Sequence, residues 1–261
     1  MKKKIFFIDL DNTFWDHENI PDSAIQALKI ARANGDKCFV NTGRAKSGVS
    51  KSLFDLPFDG FIFSQGSEII IDNKQILYKP LDVSMTKHLQ QYAIENECAY
   101  GFEGSIKAFA DEKRVERLKE LAKIDGKAMG FSNAEDVNSM TEEDYKQVMK
   151  MIVDFPKDKD MSHFKDGLPE GIDFSPFAIY GGEITSSQCS KGKCIQIVLD
   201  YYHNEYISVA IGDSDNDIKM LEAANISIVM GNHTPGLEKY ADYITEPLKK
   251  DGLYKAILKY L

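Results

Sequence analysis

The chain has 261 residues, of which 43% are hydrophobic and 28% are charged, and its formal net charge is −9. This composition is typical of a globular protein, and the length suits one larger domain or two modest ones. The negative charge makes a nucleic-acid backbone an unfavourable partner. No run approaches the roughly 18 apolar residues of a membrane span, and the N-terminus lacks the features of a signal peptide. We therefore expect neither nucleic acid nor membrane as a partner.

The cysteines lie at 38, 98, 189 and 194, and no two of them form a C-x-x-C pair. A zinc site or a thiol redox motif is therefore poorly supported, and a reducing cytoplasm is the expected setting. No heptad seam or apolar stripe marks an interface, so the sequence leaves the oligomeric state open.

The first 80 residues alternate between strand and helix patterns. The predicted elements are a strand at 5–9, a helix opened by Pro21 and ended by Gly35, a strand at 37–42, a short helix at 45–54, a strand at 60–63 and a hairpin at 66–78. This alternation favours a parallel α/β sheet.

The middle of the chain shows shorter elements, and the alternation resumes after residue 190. The middle is predicted to contain helices at 85–95 and 111–124 and strands at 100–102, 106–110, 148–155 and 172–180, with 141–147 ambiguous. The last part is predicted to contain a helix at 191–202, a strand at 208–211, a helix at 217–224, a strand at 226–230 and a helix from 248 onwards. We predict an α/β core from 1–81 and 186–261, with an α+β insert at 82–185.

The stretch IFFIDLDNT, residues 5–13, ends an apolar strand in two aspartates separated by one leucine. In an extended chain, residues two apart point to the same side, so Asp9 and Asp11 are predicted to be neighbours. Two carboxylates this close repel each other, and we expect a positive group to hold them.

A second buried strand also ends in acids. The stretch AIGDSDNDIKML runs from that strand into Asp213, Asp215 and Asp217. Ligands of an open α/β sheet bind at strand ends, so we expect the two acidic clusters to meet. Aspartate oxygens without histidine or thiolate favour a hard ion, with Mg2+ the leading candidate. Asp213 and Asp217 could also simply start a helix, and Asp215 is interpreted as a solvated loop residue.

Two further stretches indicate a phosphoryl site. FVNTGR ends the second strand with Thr42 and Gly43, whose hydroxyl and backbone N–H groups can hold phosphate oxygens. SQCSKGKC places Lys191 and Lys193 at a helix start, where the dipole disfavours a cation unless an anion is near. Carboxylates with Mg2+, a hydroxyl and a lysine together describe a site for a phosphoryl group.

Four motifs in this order resemble those of Cof-type phosphatases of the haloacid dehalogenase superfamily. They are Asp9-Leu-Asp11-Asn-Thr13, then Thr42, then Lys191 in SKG, then Gly212-Asp213-Ser-Asp-Asn216-Asp217. MGN at 230–232 and DGLYKAI at 251–257 are also similar to family features. Lys193 is the open alternative to Lys191. The resemblance implies a Rossmann-like parallel-sheet core with an inserted α+β cap domain.

The chain departs from the family pattern near its first motif. Asn12 stands where the family commonly has glycine, and asparagine tolerates unusual backbone angles, so we expect little change. Trp15 is bulkier than the usual residue, and we interpret it as packing, with a substrate-facing position as the alternative. Arg44 is interpreted as a surface or structural residue rather than a phosphate ligand.

The resemblance also implies roles for the motif residues. Asp9 would attack phosphorus and become an aspartyl-phosphate, while Asp11 would protonate the leaving oxygen and later deprotonate water. The implied phosphate-binding residues are Thr42, Gly43, Lys191 and Asn216. The implied Mg2+ site comprises Asp9, the backbone carbonyl of Asp11, Asp213 and Asp217, the last binding directly or through water.

The leading prediction is a Mg2+-dependent phosphatase for a small phosphorylated metabolite, with sugar phosphates the family's common substrates. The insert at 82–185 would close over the site and choose the substrate. A phosphomutase is the alternative enzyme, and a non-catalytic sensor of phosphorylated metabolites is the third hypothesis. The intact Asp9 and Asp11 argue against the sensor, since binding alone needs neither a nucleophile nor a proton donor.

Overall fold

A computed structural model of the protein describes residues 2–16, 19–125, 134–156, 161–177 and 181–261. The strands are β1 Lys4–Ile8, β2 Lys37–Asn41, β3 Gly60–Phe63, β4 Glu68–Ile71, β5 Lys74–Tyr78, β6 Ala99–Gly104, β7 Ala108–Ala110, β8 Glu135–Asp136, β9 Val148–Asp154, β10 Ile172–Phe177, β11 Gly181–Ser186, β12 Ile207–Gly212, β13 Ile226–Val229 and β14 Tyr243–Ile244. The α-helices are α1 Asp22–Ala33, α2 Val83–Glu95, α3 Glu112–Asp125, α4 Glu142–Tyr145, α5 Met161–Asp166, α6 Lys191–Tyr201, α7 Ile218–Ala223 and α8 Gly252–Lys259. The end of the predicted strand at 172–180 lies outside the described residues.

The chain forms two compact units. The first consists of Met1–Gly43, Ser50–Leu77 and Cys189–Leu261, and the second of Arg44–Val49 and Tyr78–Gln188. The first has a mainly parallel sheet with helices, and the second has a mainly antiparallel sheet with helices. The predicted α/β core with an α+β insert therefore describes the architecture.

The sheet of the first unit has the strand order β14-β13-β12-β1-β2-β3-β4-β5. β1 pairs in parallel with both β2 and β12, with Ile8 opposite Val40 on one side and Ile211 on the other. The strand order reverses around β1, because the chain continues to β2 on one side and adds β12 later on the other. The crevice at the carboxyl ends of β1 and β12 is the place where open α/β sheets bind ligands.

Every residue of β1 is buried, so both faces of this strand are covered. Ile5 and Phe7 belong to a core cluster that includes Val198 of α6 and Leu221 of α7. A strand buried on both faces needs a continuous apolar run, which explains why β1 shows no polar alternation. This packing holds the ends of β1 and β12 in fixed register beside the start of α6.

The second unit has the strand order β10-β11-β9-β6-β7-β8, in which β7 and β8 pair in parallel and the other described pairs are antiparallel. Its core cluster joins Leu89 of α2 to Phe102 and Met151 of the sheet. On this sheet the buried Lys150 ammonium lies 3.1 Å from Glu103 and 2.8 Å from Glu183.

The helical pattern predicted at 45–54 is not one continuous helix. The segment contains two short 3-10 helices, Lys46–Gly48 and Lys51–Asp55, separated by Val49 in an extended conformation. The Ser50 hydroxyl accepts a hydrogen bond from the Ser52 N–H and so starts a new turn. The ambiguous segment at 141–147 contains α4, which a capping box between Thr141 and Asp144 opens.

The four cysteines are free and buried. In the part of the chain that the structure describes, no helix combines the length and the apolar character that a bilayer crossing needs.

Gly192 allows α6 to approach α7 closely. A Cβ atom built there would lie 2.1 Å from the carbonyl oxygen of Lys219, which is fixed backbone. We predict that Gly192→Ala lowers the free energy of unfolding by about 1–3 kcal/mol, because the added methyl group forces the helices apart. Calorimetric melting measures this loss. The control is Gly48→Ala, whose Cβ would meet its nearest atom at 3.8 Å, and an equal melting temperature for both variants would contradict the close approach.

Candidate active site

The carboxyl end of β1 presents Asp9. Its backbone N–H donates to the carbonyl oxygen of Ile211 at 3.0 Å, which extends the pairing of β1 with β12 by one residue. Asp9 is 4% exposed. The regular ladder therefore fixes the position of this carboxylate at the edge of the sheet.

The carboxyl end of β12 presents Asp213 and Asp217 in a loop that closes on itself. The Asp217 Oδ2 atom accepts hydrogen bonds from the backbone N–H groups of Asp213 at 2.9 Å and Ser214 at 3.2 Å. A Cβ atom at Gly212 would lie 2.5 Å from the Asp217 Cγ atom, so the glycine makes room for this carboxylate. The loop thus turns one acid inward to support its own backbone.

Asp9, Asp213 and Asp217 form one buried cluster. One carboxylate oxygen from each lies within 4.8 Å of the others, and no member is more than 5% exposed. The Lys191 Nζ atom lies 2.6 Å from Asp9 Oδ1 and 2.7 Å from Asp217 Oδ1, and this lysine is fully buried. Asp9 of the first acidic stretch therefore meets Asp213 and Asp217 of the second, with Lys191 as the positive group, whereas Asp11 and Asp215 lie outside this cluster.

Local capping places Lys191 at the first position of α6. The Ser190 hydroxyl accepts a hydrogen bond from the Lys193 N–H at 3.2 Å and so caps the helix. The Asn41 Nδ2 atom, at the end of β2, donates to the Lys191 carbonyl oxygen at 3.0 Å. Lys191 also donates to Asn216 Oδ1 at 3.2 Å, whereas the Lys193 side chain is exposed. Of the two candidate lysines, Lys191 contacts the cluster.

Burial dominates the protonation of the cluster. It raises the pKa of Asp9 well above its usual range, although Lys191 acts in the opposite direction. Burial and then the Asp217 carboxylate raise the pKa of Asp213 to about 7. Burial alone would lower the pKa of Lys191, but Asp217 and Asp9 outweigh it and raise that pKa above its usual value. Lys191 therefore stays charged, but its single positive charge does not offset the effect of burial on Asp9 and Asp213, whose pKa values stay raised.

The donor set fits a divalent cation. Ionisation of all three carboxylates beside one ammonium would leave two net negative charges in a buried space, which a divalent cation would balance. Oxygen donors alone suit a hard ion. Asp9, Asp213 and Asp217 are therefore residues that could hold a divalent metal.

The loop after β1 holds the second acid of the first motif. Asp11 is half-buried, and its Oδ1 atom accepts a hydrogen bond from the Trp15 Nε1–H group at 3.0 Å. Asn12 has φ +58°, the left-handed conformation that asparagine tolerates. The Thr13 hydroxyl donates to Asp213 Oδ1 at 3.3 Å and so ties this loop to the loop after β12.

Thr42 and Gly43 follow β2 at the same edge of the sheet and are both buried. The Thr42 N–H donates to the Ile62 carbonyl oxygen at 2.9 Å, which extends the pairing of β2 with β3. Asp215 is exposed, in line with a solvated loop role. Arg44 belongs to the second unit, where it donates to the Gly48 carbonyl oxygen at 3.2 Å. The phosphate-binding roles of Thr42, Gly43, Lys191 and Asn216 stay predictions.

Four residues support the site through contacts that were not predicted from the sequence. They are Thr13, Trp15, Asn41 and Asn232. The Asn232 Nδ2 atom donates to the Asn12 carbonyl oxygen at 2.9 Å, and its Oδ1 atom accepts from the Leu248 N–H at 2.8 Å. Asn232 thereby braces the turn that carries Asp11. The sequence signal for Asn232 was the MGN stretch, which resembled a family feature but did not predict this contact.

Comparison with known proteins identifies the family. The sequence profile of the haloacid dehalogenase-like hydrolases matches residues 6–257. The chain is 26% identical to "Putative phosphatase YkrA" of Bacillus subtilis (strain 168), across 98% of this chain and 97% of that protein. The chain belongs to the haloacid dehalogenase-like hydrolases.

Solved structures of the same superfamily share the fold. A phosphatase named BT1666, from Bacteroides thetaiotaomicron, has a TM-score of 0.83 and 25% identity, covering 99% of this chain and 95% of that chain. The subclass IIB sugar phosphatase BT4131 has a TM-score of 0.80 and 24% identity, covering 99% of this chain and 98% of that chain. The predicted resemblance, the fold class and the phosphatase type of enzyme are therefore confirmed.

Lys191 is predicted to stabilise the buried acids. We expect Lys191→Met, in the presence of chelator, to lower the free energy of unfolding by about 3–5 kcal/mol, because it leaves buried carboxylates without their counterion. The matched control, Lys193→Met, removes an exposed ammonium from the same helix turn and should change stability by no more than about 0.5 kcal/mol. Urea unfolding measures both variants, and equal losses would contradict a specific role for Lys191.

Proposed function

We propose that this hydrolase is a Mg2+-dependent phosphatase that acts on a small phosphorylated metabolite through an aspartyl-phosphate at Asp9. The observation that carries the proposal is the buried Lys191 ammonium between Asp9 and Asp217, beside Asp213. An ammonium paired with the nucleophile is placed to bind a phosphoryl oxygen that approaches the same carboxylate.

The proposed Mg2+ ligands are Asp9, Asp213 and the backbone carbonyl of Asp11. Both Asp217 oxygens already accept hydrogen bonds, from Lys191 on one side and from the Asp213 and Ser214 N–H groups on the other. This satisfaction favours support of the metal by Asp217 through water. When bound, Mg2+ supplies charge neutralisation to the phosphoryl group and the carboxylates.

Asp9 is the proposed nucleophile of the first step. A carboxylate oxygen of Asp9 forms a bond to phosphorus in line with the leaving oxygen, and the bond from phosphorus to that oxygen breaks. Asp11 gives a proton to the leaving oxygen, which departs as an alcohol. The Lys191 ammonium, which donates to the other carboxylate oxygen at 2.6 Å, keeps Asp9 oriented.

The second step hydrolyses the aspartyl-phosphate. Asp11, now a carboxylate, takes a proton from water as the water oxygen bonds to phosphorus, and the bond between phosphorus and the Asp9 oxygen breaks. Inorganic phosphate leaves and both aspartates return to their starting states. The proposed ligands of the phosphoryl oxygens are the Thr42 hydroxyl, the Gly43 N–H, Lys191 and Asn216.

A sugar phosphate is the proposed substrate class, and the insert predicted at 82–185 is the proposed selector. The description of BT4131 as a sugar phosphatase supports the class. The four free cysteines support a cytoplasmic setting, where thiols stay reduced. The net charge of −9 disfavours nucleic acid as a substrate.

Phosphate release from a panel of sugar, nucleotide and cofactor phosphates tests this function. We expect release that depends on Mg2+, that stops with chelator, and that falls by at least about 10³-fold in Asp9→Asn, because the amide is not a nucleophile. The matched control is Asp215→Asn, which removes an exposed carboxylate from the same acidic stretch and should keep activity within about twofold.

Four outcomes would contradict the proposal. Release that persists with chelator would show that the reaction needs no metal, and full activity of Asp9→Asn would show that Asp9 is not the nucleophile. Net isomerisation of a sugar phosphate without phosphate release would indicate a phosphomutase instead. Binding of panel compounds by the folded, metal-loaded protein without turnover would indicate a sensor.

A further inference from the structure

The turn after β1 brings Trp15 back to Asp11. The Leu10 carbonyl oxygen accepts hydrogen bonds from the Phe14 N–H at 2.9 Å and the Trp15 N–H at 3.0 Å. The Asn12 N–H donates to the Trp15 carbonyl oxygen at 2.8 Å, with Asn12 in the left-handed conformation. These bonds reverse the chain within a few residues, so the two side chains meet across the turn.

Trp15 is held in one position by its packing. It is 1% exposed, and its ring centroid lies 6.4 Å from that of Phe14, which in turn packs edge-on against Phe58 at 5.0 Å. A buried indole N–H needs a hydrogen-bond acceptor. The acceptor here is Asp11 Oδ1 at 3.0 Å, a carboxylate oxygen of the proposed acid and base.

We propose that Trp15 is a positioning residue that assigns proton transfer to the Oδ2 atom of Asp11. The indole N–H group can only donate, so Oδ1 serves as its acceptor whether Asp11 is protonated or not. The proton that Asp11 transfers therefore resides on Oδ2. This inference rests on the proposed function, because it needs Asp11 to be the acid and base.

In both steps of the reaction, Asp11 transfers its proton through the Oδ2 atom. In the first step, the Oδ2–H bond breaks and the proton goes to the leaving oxygen as its bond to phosphorus breaks. In the second step, Oδ2 receives a proton from the attacking water. Without the indole N–H, the carboxyl group can rotate about its bond to Cβ and both oxygens compete for the proton, so the productive geometry is lost part of the time.

The test separates positioning from packing by the need for a leaving-group proton. A sugar monophosphate releases an alkoxide-like oxygen that requires protonation, whereas 4-nitrophenyl phosphate releases a stable anion that does not. Rapid-quench kinetics measure formation of the aspartyl-phosphate from each compound, with the sugar monophosphate that the wild type hydrolyses fastest. The variants are Trp15→Phe and Trp15→benzothienylalanine, in which sulfur replaces the indole N–H at nearly constant shape.

We expect both variants to form the aspartyl-phosphate from the sugar monophosphate at least about tenfold more slowly. This loss is a part of the ~10²–10⁴-fold rate increase that general acid catalysis supplies. Formation from 4-nitrophenyl phosphate should stay within about twofold, and a burst of 4-nitrophenolate should appear because the later hydrolysis is slowed. The control is Phe14→Leu, which alters the packing beside Trp15 and should leave the ratio of the two rates unchanged.

The outcomes distinguish this inference from the function on which it rests. Equal losses with both compounds, or no loss in the benzothienylalanine variant, would overturn the role of Trp15 while the wild-type phosphatase stands. Failure of the wild type to form an aspartyl-phosphate would overturn both proposals. The near-isosteric variant keeps the test decisive if Trp15→Phe fails to fold.

Discussion

The arrangement of the buried acids in the candidate active site depends on one ammonium group, that of Lys191. Lys191 lies between the carboxylates of Asp9, which follows β1, and Asp217, which lies in the loop after the neighbouring strand β12. Burial, and then the neighbouring Asp217 carboxylate, makes Asp213 costly to ionise and raises its pKa, whereas Lys191 acts in the opposite direction. The pairing, the cap at Ser190 and the hydrogen bond from Asn41 serve to keep this charge in place.

The parallel sheet makes that convergence possible. Asp9 and Lys191 are 182 residues apart in the sequence, yet the ends of β1 and β12 and the start of α6 meet at one edge of the sheet. Asp9 and Asp213 directly follow strands that are buried along their carboxyl halves, so the backbone ladder determines the positions of these two acids to within a side-chain rotation. The rigid scaffold and the polar cluster are therefore two consequences of the same apolar runs.

Much of the fold and part of the candidate site were predictable from the sequence, because hydrophobic periodicity marks the strands and polar residues mark their ends. The unbroken apolar run at 5–8 predicts a buried strand, and the acids that follow predict a cation-binding edge. The contact between Trp15 and Asp11 was not predictable, since it depends on the left-handed conformation of Asn12, which the pattern permits but does not require. A continuous helix at 45–54 was predicted for a similar reason, because the residues have helical spacing but the extended backbone at Val49 interrupts the helix.

The stereochemical course at phosphorus tests the central claim most directly. Each in-line displacement inverts phosphorus, so transfer to Asp9 followed by transfer to water returns the original configuration. The measurement uses a thiophosphate monoester made chiral with oxygen isotopes, hydrolysed in isotopically labelled water. The account predicts net retention, and net inversion would contradict it by showing that water attacks the substrate directly.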